Sequence, residues 1–313
     1  MNKLSSLSIV IPCHNESEVI KNTYAEIKTL LDKWQGKIMD GYEIVMVNNG
    51  STDDTLEKMI ELKNEDKNIV ILDLRRNFGY QGSITAGLFN ATKEMVVSID
   101  ADLQDDPASI ADMIVKYYEG YDMVLGVRKK RKADFFLKRW TAHLYYWFLD
   151  KMGAPSVYNH GDFRLLSSSA LEDLKKFPER NRYLRGMILN LESKYALVYY
   201  DRRKRKAGKT KFKIHALFGF ALDGITSLSN TPIRIIALFG FVSFFVSVFG
   251  MSFILYVKLF RNVNVPGWAF IALTVMIFGG LQSLFIGIIG EYIAKSYLEV
   301  KQRPIFLIRK KYE

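Results

Sequence analysis

Short apolar runs alternate with amphipathic stretches through the first half of the chain. Each apolar run is six or seven residues long, which is typical of a β-strand, and the stretches between them carry apolar residues at helical spacing. The expected strands are residues 7–12, 42–47, 68–74, 94–99 and 121–127, and the expected helices are residues 16–34, 52–62, 80–91 and 107–119. This alternation predicts an α/β domain in which a mainly parallel sheet is covered by helices on both faces.

The last third of the chain follows another pattern, with two long runs that contain no charge. Residues 235–257 are uncharged over 23 positions, and residues 266–290 are uncharged over 25. As helices rising about 1.5 Å per residue, both could cross a hydrocarbon layer of about 30 Å, and helices buried in a protein core are the alternative. We therefore expect a cytoplasmic domain over residues 1–231, a transmembrane hairpin over 232–290 and a basic cytoplasmic tail over 291–313.

The distribution of charge agrees with this arrangement. The chain has a formal net charge of +11, and basic residues flank both uncharged runs. The positive-inside rule then puts both flanks, and with them both termini, in the cytoplasm. The N-terminal apolar run is too short for a signal peptide, and the single cysteine, Cys13, fits a reducing compartment. The stretch 133–153 mixes aromatic and basic residues, and we expect it either to lie at the membrane interface or to pack on the domain.

Polar residues collect directly after three of the expected strands. The segments are "PCHNE" (12–16), "NNGSTDD" (48–54) and "DADLQ" (100–104). Because ligands in such sheets bind outside the carboxyl ends of the strands, the three segments predict one binding rim, although each alone also fits a turn. Residues two apart in an extended segment point to the same side, so Asp100 and Asp102 are expected to share a face. Two carboxylates so close repel each other unless a cation lies between them, which predicts a site for Mg²⁺ or Mn²⁺.

The glycine-rich phosphate-binding motifs GxGxxG and GxxxxGK[ST] do not occur in the sequence. A phosphate-bearing ligand would therefore be held by a metal ion and by basic side chains. Two basic clusters are available, "RKKRK" at 128–132 and "RRKRKAGKTKFK" at 202–213. We do not expect a nucleic acid partner, because anionic lipid explains basic residues beside apolar runs and the sequence carries no nucleic-acid-binding motif.

Eight short motifs, in order along nearly the whole chain, resemble glycosyltransferase family 2. They are "IVIPCHNE", "VNNGSTDDT", "RNFGYQGSITAGL", "SIDADLQDDP", "GDFRLL", "RKRKAGKTKF", "DGITSLS" and "GEYIAKSYLEVKQRP". Within that family the chain is similar to the polyprenyl-phosphate glycosyltransferase branch, which includes dolichol-phosphate mannose synthase and the bactoprenol glucosyltransferases. The resemblance implies a GT-A fold, a nucleotide-sugar donor, a divalent metal ion (Mg²⁺ or Mn²⁺) and a lipid-phosphate acceptor.

The same resemblance assigns a binding site, position by position. The residues implied to bind the nucleotide sugar are Pro12, His14, Glu16, Val47, Asn49, Asp100, Ala101, Arg128, Arg205 and Lys211. Val47 and Asn49 would lie against the base, and the three basic residues would contact the phosphates. The sequence departs from the family at Asn49, where Asp is usual, and at His14, where an aromatic residue is usual.

Metal binding and catalysis are assigned in the same way. Asp102 and Gln104, together with Asp100, are implied to hold the metal ion, and Asp102 and Asp162 are the implied catalytic residues. Asp162 would act as a base or would orient the acceptor or the metal. An ion pair with Arg164 is the alternative for this carboxylate.

The resemblance therefore implies inverting transfer of a hexose from a UDP-sugar, with UDP-glucose as the expected donor, to undecaprenyl phosphate. The product would be a polyprenyl-phosphate-linked sugar for glycosylation of the cell envelope. UDP-N-acetylglucosamine and UDP-galactose are alternative donors, and a non-catalytic membrane sensor of nucleotide sugars is the alternative of another class. Because two spans per chain make a thin membrane domain, we expect a homo-oligomer, with a tetramer as one form.

Overall fold

The structure is a computed structural model that describes residues 4–129, 157–191, 193–203, 229–261 and 267–313. Its strands are β1 (Leu7–Cys13), β2 (Tyr42–Asn48), β3 (Ile69–Leu74), β4 (Met95–Ser98), β5 (Met123–Arg128), β6 (His160–Ser167), β7 (Tyr195–Tyr200) and β8 (Ile308–Tyr312). Its α-helices are α1 (Ile20–Trp34), α2 (Thr55–Glu65), α3 (Gly79–Asn90), α4 (Ile110–Tyr118), α5 (Ser168–Lys176), α6 (Leu184–Met187), α7 (Thr231–Arg261) and α8 (Trp268–Lys301). Short 3₁₀ turns lie at Pro107–Ser109 and Ile188–Leu191.

The described strands form one mixed sheet in the order β7-β5-β6-β4-β1-β2-β3-β8. Four of the seven pairings are parallel, and three, β3 with β8, β4 with β6 and β5 with β6, are antiparallel. The five strands expected from the sequence are present. The strand β6 separates β4 from β5, so these two strands are not parallel neighbours as simple strand–helix alternation would suggest.

Alternate residues of the central strands face two separate apolar cores. Leu7, Ile9 and Ile11 of β1 pack in the core that α1, α2 and α4 cover, whereas Val10 points to the other face, which α3, α5 and α6 cover. Both sets of side chains are fully buried, as expected for strands in the middle of a sheet with helices on each side. Gly87 brings α3 close to this sheet, because a Cβ at that position would lie 2.3 Å from a methyl group of Val10.

The two uncharged runs form the long helices α7 and α8. Segments Thr231–Gly250 and Thr274–Lys301 are long and apolar enough to cross a membrane, with mean hydropathies of 2.2 and 1.5. Neither segment is buried against the rest of the described chain, so large apolar side chains such as Phe249 and Phe270 are exposed along both helices. Exposed apolar surface of this extent marks a site of membrane or protein contact.

Residues 291–313, expected as a basic cytoplasmic tail, form the end of α8 and an additional strand of the sheet. Helix α8 continues to Lys301, and β8 then pairs antiparallel with β3, for example Lys311 with Leu72. Phe306 and Ile308 also pack against the second apolar core. Because β8 completes an edge of the sheet, the domain is built from residues that lie on both sides of the two apolar helices in the chain.

The loop after β2 packs against the loop after β3 through Gly50, which lies at φ +61°. A Cβ there would lie 2.5 Å from the backbone carbon of Arg76, whereas Gly36, at φ +72°, has open space around the same position.

We expect Gly50→Ala to lower the thermal unfolding midpoint clearly more than Gly36→Ala, since both incur the left-handed backbone cost of about 1–2 kcal/mol but only Gly50 adds a backbone clash. Differential scanning fluorimetry of the full chain measures both midpoints, and equal shifts would contradict the close approach.

Candidate active site

Three polar segments lie together at one rim of the sheet, where β1, β2 and β4 end. The segments after β1 and β2 are joined through Asn15, whose side-chain oxygen accepts a hydrogen bond from the backbone N–H of Thr52 at 2.8 Å. The Ser51 hydroxyl in turn accepts from the N–H of Asn15 at 3.1 Å, and the Thr55 hydroxyl accepts from that of Glu16 at 2.9 Å. These bonds join the segments after β1 and β2, and the parallel pairing of β4 with β1 brings the segment after β4 to the same edge of the sheet.

The acidic segment after β4 is a turn and not a continuation of the strand. Strand β4 ends at Ser98, and Leu103, which is buried, has the unusual positive φ of 51°. The side chain of Asp102 accepts from the N–H of Gln104 at 3.1 Å, and the carbonyl of Ala101 accepts from the Thr23 hydroxyl at 2.6 Å. The expectation that Asp100 and Asp102 share a face because the segment is extended was therefore wrong in its geometry, although the Asp102 carboxylate does lie close enough to contribute to the raised pKa of Asp100.

The surroundings of Asp100 disfavour its charged form. Burial in the first place, together with the nearby carboxylates of Asp105 and Asp162, raises the pKa of its carboxyl group to about 7, although the Tyr80 hydroxyl donates a hydrogen bond to it at 2.7 Å. A carboxylate among other carboxylates is stabilised by any cation that binds beside it. The segment thus has the electrostatic character of a cation site.

Asp105, in contrast, is paired within the protein. Its buried carboxylate accepts hydrogen bonds from the Tyr200 hydroxyl at 2.6 Å and from Arg128, whose Nε lies 3.3 Å away. Burial lowers the pKa of Arg128, but the charge of Asp105 outweighs this effect and leaves that pKa raised. Arg128 was expected to contact phosphates, and the structure shows that part of its charge already compensates Asp105.

Asp162 is held between two arginines at the start of β6. Its Oδ1 accepts from Arg164 Nη2 at 2.5 Å, and its Oδ2 accepts from Arg185 Nη2 at 2.7 Å. Although burial alone would raise the pKa of this carboxyl group, Arg185 and then Arg164 lower it to about 2. A carboxylate with so low a pKa takes up a proton poorly at neutral pH. The two arginines around Asp162 therefore argue against its role as a base and agree with an ion pair or an orienting role.

The residues at the end of β4 fit a divalent cation. Among the described residues, no group of three His, Cys, Asp or Glu side chains could hold a metal by itself. Mg²⁺, however, is commonly held by one or two carboxylates together with substrate phosphates, and Asp100 and Asp102 provide such a pair. Gln104 is already engaged, since its side-chain oxygen accepts a hydrogen bond from Arg202, so the expected third ligand would have to give up that bond.

The Asn49 side chain, which was expected to lie against a base, is hydrogen-bonded to the loop after β3. Its side-chain oxygen accepts from the N–H of Phe78 at 2.9 Å, and its amide donates to the carbonyl of Gly79 at 3.1 Å and to Asn77 Oδ1 at 3.2 Å. His14 completes this network, because its Nδ1 donates to the Asn49 carbonyl at 3.0 Å while its Nε2 accepts from the Asn77 amide at 3.1 Å. The Asn49 amide group therefore fixes the loop after β3.

Of the other expected site residues, Val47 and Pro12 are buried, Glu16 lies at the surface of the rim, and two lie outside the described residues. Val47 is fully buried in an apolar core, which corrects its expected contact with a base. Pro12 is also buried in β1, beyond the last pairing of that strand with β4, where a missing N–H costs no ladder hydrogen bond. Glu16 lies on the rim, whereas Arg205, Lys211 and the stretch 133–153 lie outside the described residues.

Four residues of the site were not expected from the sequence: Tyr80, Asp105, Arg185 and Tyr200. Arg185 lies in the run "RNRYLRG", whose three arginines within seven residues are a sequence signal for an anion-binding or charge-paired segment. The two tyrosines gave no signal, because only the folded chain brings each of them to a carboxylate.

With fold and site described, the chain can be compared with known proteins. The family model for glycosyl transferase family 2 matches residues 8–175, and the chain belongs to this family, as the motifs predicted. The fold is the predicted GT-A-like one, a mixed sheet with flanking helices and two apolar C-terminal helices.

Two relatives extend the match over nearly the whole chain. The uncharacterized glycosyltransferase YkoT of Bacillus subtilis (strain 168) is 42% identical over 306 residues, which cover 96% of this chain and 90% of that protein. The prophage bactoprenol glucosyl transferase homolog of Escherichia coli (strain K12) is 37% identical over 306 residues, which cover 97% of this chain and 98% of that protein.

Solved structures agree on the fold. Glucosyl-3-phosphoglycerate synthase from Mycobacterium tuberculosis, in complex with Mn²⁺, UDP-glucose and phosphoglyceric acid, superposes with a TM-score of 0.50 at 18% identity. The match covers 72% of this chain and 78% of that protein. At this level of identity the likeness concerns the fold alone.

Asn49→Asp tests the structural role of the Asn49 amide. A carboxylate cannot donate to the Gly79 carbonyl or to Asn77 Oδ1, and its own oxygen would lie next to these two acceptors. We therefore expect this variant to lose roughly 1–3 kcal/mol of stability. Asn22→Asp, which adds the same charge at an exposed position of α1, should leave the unfolding midpoint nearly unchanged. If Asn49→Asp instead kept full stability and bound UDP more tightly, the side chain would be reading the base.

Asp162→Asn tests the charge clamp. Because the fully buried Arg164 would lose its partner, we expect a loss of stability of about 3–5 kcal/mol, measured by denaturant or thermal unfolding. Asp173→Asn removes an exposed ion pair with Lys176 and should cost less than about 1 kcal/mol. An acid limb in the pH profile of activity that vanished in a fully stable Asp162→Asn variant would instead support a base at this position.

Proposed function

We propose that this glycosyltransferase transfers a hexose from a UDP-sugar to undecaprenyl phosphate at the cytoplasmic face of a membrane. The observation that carries the proposal is the pair of carboxyl groups of Asp100 and Asp102 at the end of β4, on a domain whose chain leaves through α7 and returns from α8 as β8. The similarity to bactoprenol glucosyl transferases over nearly the full chain supports a polyprenyl phosphate as the acceptor.

The donor would lie along the rim formed by the ends of β1, β2 and β4. Asp100 and Asp102 would hold Mg²⁺ or Mn²⁺, and the bound ion would supply positive charge beside the donor diphosphate. His14 and Glu16 are the candidates for contacts with the nucleoside, and Arg128 is the described candidate for the phosphates. The Asn49 side chain binds the loop after β3 and the Val47 side chain packs in the core, so the proposed contacts with the base do not include these side chains.

The reaction would be a single displacement at the anomeric carbon. An oxygen of the acceptor phosphate forms the new bond to that carbon while the bond to the donor diphosphate breaks, so the nucleoside diphosphate leaves and the configuration inverts. A phosphate monoester is already mostly ionised near pH 7, since its second pKa is about 6, and so it needs no strong base. Asp162 would then act by holding Arg185, a half-exposed cation at the edge of the site, in place toward the acceptor.

The membrane arrangement would follow from the path of the chain. Strands before α7 and the strand after α8 belong to one sheet, so α7 starts and α8 ends on the side of the catalytic domain. A hairpin that crosses the membrane twice satisfies this requirement and agrees with the basic flanks. It would keep the catalytic site beside a lipid acceptor.

Glucose is the proposed sugar, because several of the relatives that match over nearly the full chain are named for glucosyl transfer. The alternatives are N-acetylglucosamine and galactose, each transferred by the same chemistry. A comparison of the three UDP-sugars separates them.

The test uses the purified full chain in lipid nanodiscs with undecaprenyl phosphate and each radiolabelled UDP-sugar, with Mg²⁺, with Mn²⁺ or with EDTA. We expect metal-dependent formation of a labelled lipid, fastest from UDP-glucose. Asp102→Asn should reduce the rate by at least about a hundredfold, because charge compensation of a leaving diphosphate contributes several kcal/mol. Asp112→Asn, at an exposed position in the first turn of α4, is the matched control and should retain the wild-type rate. Binding of a UDP-sugar without any transfer would favour the non-catalytic sensor.

A further inference from the structure

Glu299, near the end of helix α8, connects that helix with the catalytic domain. One of its carboxylate oxygens accepts hydrogen bonds from the backbone N–H groups of Arg180 and Asn181, at 2.9 Å and 2.7 Å. The other oxygen accepts from the N–H of Arg180 at 2.8 Å. One side chain thus holds two consecutive backbone donors that lie 119 and 118 residues away in the chain.

This position is unfavourable for an acid unless it has such partners. Glu299 lies in the last turn of α8, where the partial negative charge of the helix end repels a carboxylate. The helix ends by itself two residues later, with Gln302 in the left-handed conformation and its N–H bonded to the Glu299 carbonyl. The carboxylate is therefore not needed to end the helix, and its hydrogen bonds are directed at another part of the chain.

The segment that it holds leads directly to the charge clamp of the site. Arg180 and Asn181 lie in the loop between α5 and α6, and the first turn of α6 carries Arg185, which donates to Asp162. The same loop is anchored on the domain side by Arg182, whose guanidinium lies over the ring of Phe89 and donates to the Phe177 carbonyl at 2.9 Å. A short and firmly held loop thus connects the membrane helix with the arginine at the site.

We propose that Glu299 is a positioning residue, through which helix α8 sets the loop before α6 and so aims Arg185 at Asp162. The inference rests on the proposed function, because it assigns the purpose of the contact to transfer at the membrane. Charge-assisted hydrogen bonds to backbone N–H groups are among the stronger ones, so a shift of α8 carries the loop with it. The contact lies on the Arg185 side of the site and does not involve the rim of β1 and β2, where the donor nucleoside is proposed to bind.

The experiment compares the full chain in nanodiscs with three variants. Glu299→Gln has the same shape but only one oxygen and no charge, Glu299→Asp keeps the carboxylate, and Glu291→Gln makes the same chemical change at an exposed position about two turns earlier in α8. Hydrogen–deuterium exchange of peptides that cover residues 178–184 reports the loop directly, and steady-state kinetics report kcat and the KM for the donor.

We expect Glu299→Gln to accelerate amide exchange of Arg180 and Asn181 by about tenfold or more and to lower kcat by a similar factor, with the donor KM within about twofold of wild type. Glu299→Asp should recover part of both effects, and Glu291→Gln should show neither. Unchanged exchange in Glu299→Gln would overturn the contact, and faster exchange with unchanged kcat would overturn the positioning role. An equal loss of kcat in Glu291→Gln would also overturn it. If the wild-type chain transfers no sugar, the proposed function is wrong. The exchange data then still test whether Glu299 holds the backbone of Arg180 and Asn181.

Discussion

Compensation of negative charge governs the arrangement of the site. Asp100, Asp102, Asp105 and Asp162 converge near the end of β4 and the start of β6, and a buried carboxylate is costly unless opposite charge or hydrogen bonds stabilise it. The protein pairs Asp105 with Arg128 and Tyr200, and it pairs Asp162 with Arg164 and Arg185. For Asp100 the structure gives a tyrosine hydroxyl and a pKa raised to about 7. Asp100 thus has no arginine partner of the kind that Asp105 and Asp162 have among the described contacts, and it lies where the donor diphosphate and its cation are proposed to bind. The pairing with arginines explains why Asp162 is a weak base, since the arginines that allow its burial also withdraw its affinity for protons.

The sequence was sufficient for the parts of the fold that depend on local pattern. Strands β1 to β5 could be predicted because each is a short apolar run between helical stretches, and α7 and α8 because they are long and uncharged. Strands β6, β7 and β8 could not be placed in this way. The order of strands in a sheet depends on pairings between distant segments, such as that of Ser98 with Arg164, which no periodicity reveals. The strand β8 follows a membrane-like helix and is rich in basic residues, so its composition is typical of a tail and hides its pairing with β3.

The candidate site could be located from the sequence more accurately than its contacts could. The three polar strand ends do meet at one rim, because parallel strands bring their carboxyl ends to the same edge. The role of a single side chain, however, depends on which hydrogen-bonding partners the folded chain brings within reach. Asn49 shows this, because its three partners lie in residues 77–79, and a family motif that covers only the first loop contains no information about them. Arg185 shows the converse, since its role comes from Asp162, 23 residues earlier in the chain.

The position of β8 also has a consequence for biosynthesis. A ribosome releases the chain from its N-terminus, so β1 to β7 are available for folding well before the strand that completes their edge. Until α7 and α8 have been made and placed, β3 presents unpaired backbone groups, and an open sheet edge readily pairs with other chains. Completion of the sheet therefore follows synthesis of both apolar helices. A nascent chain that stops before β8 keeps this edge open and is prone to aggregation, so only chains in which both apolar helices have been made can complete the domain.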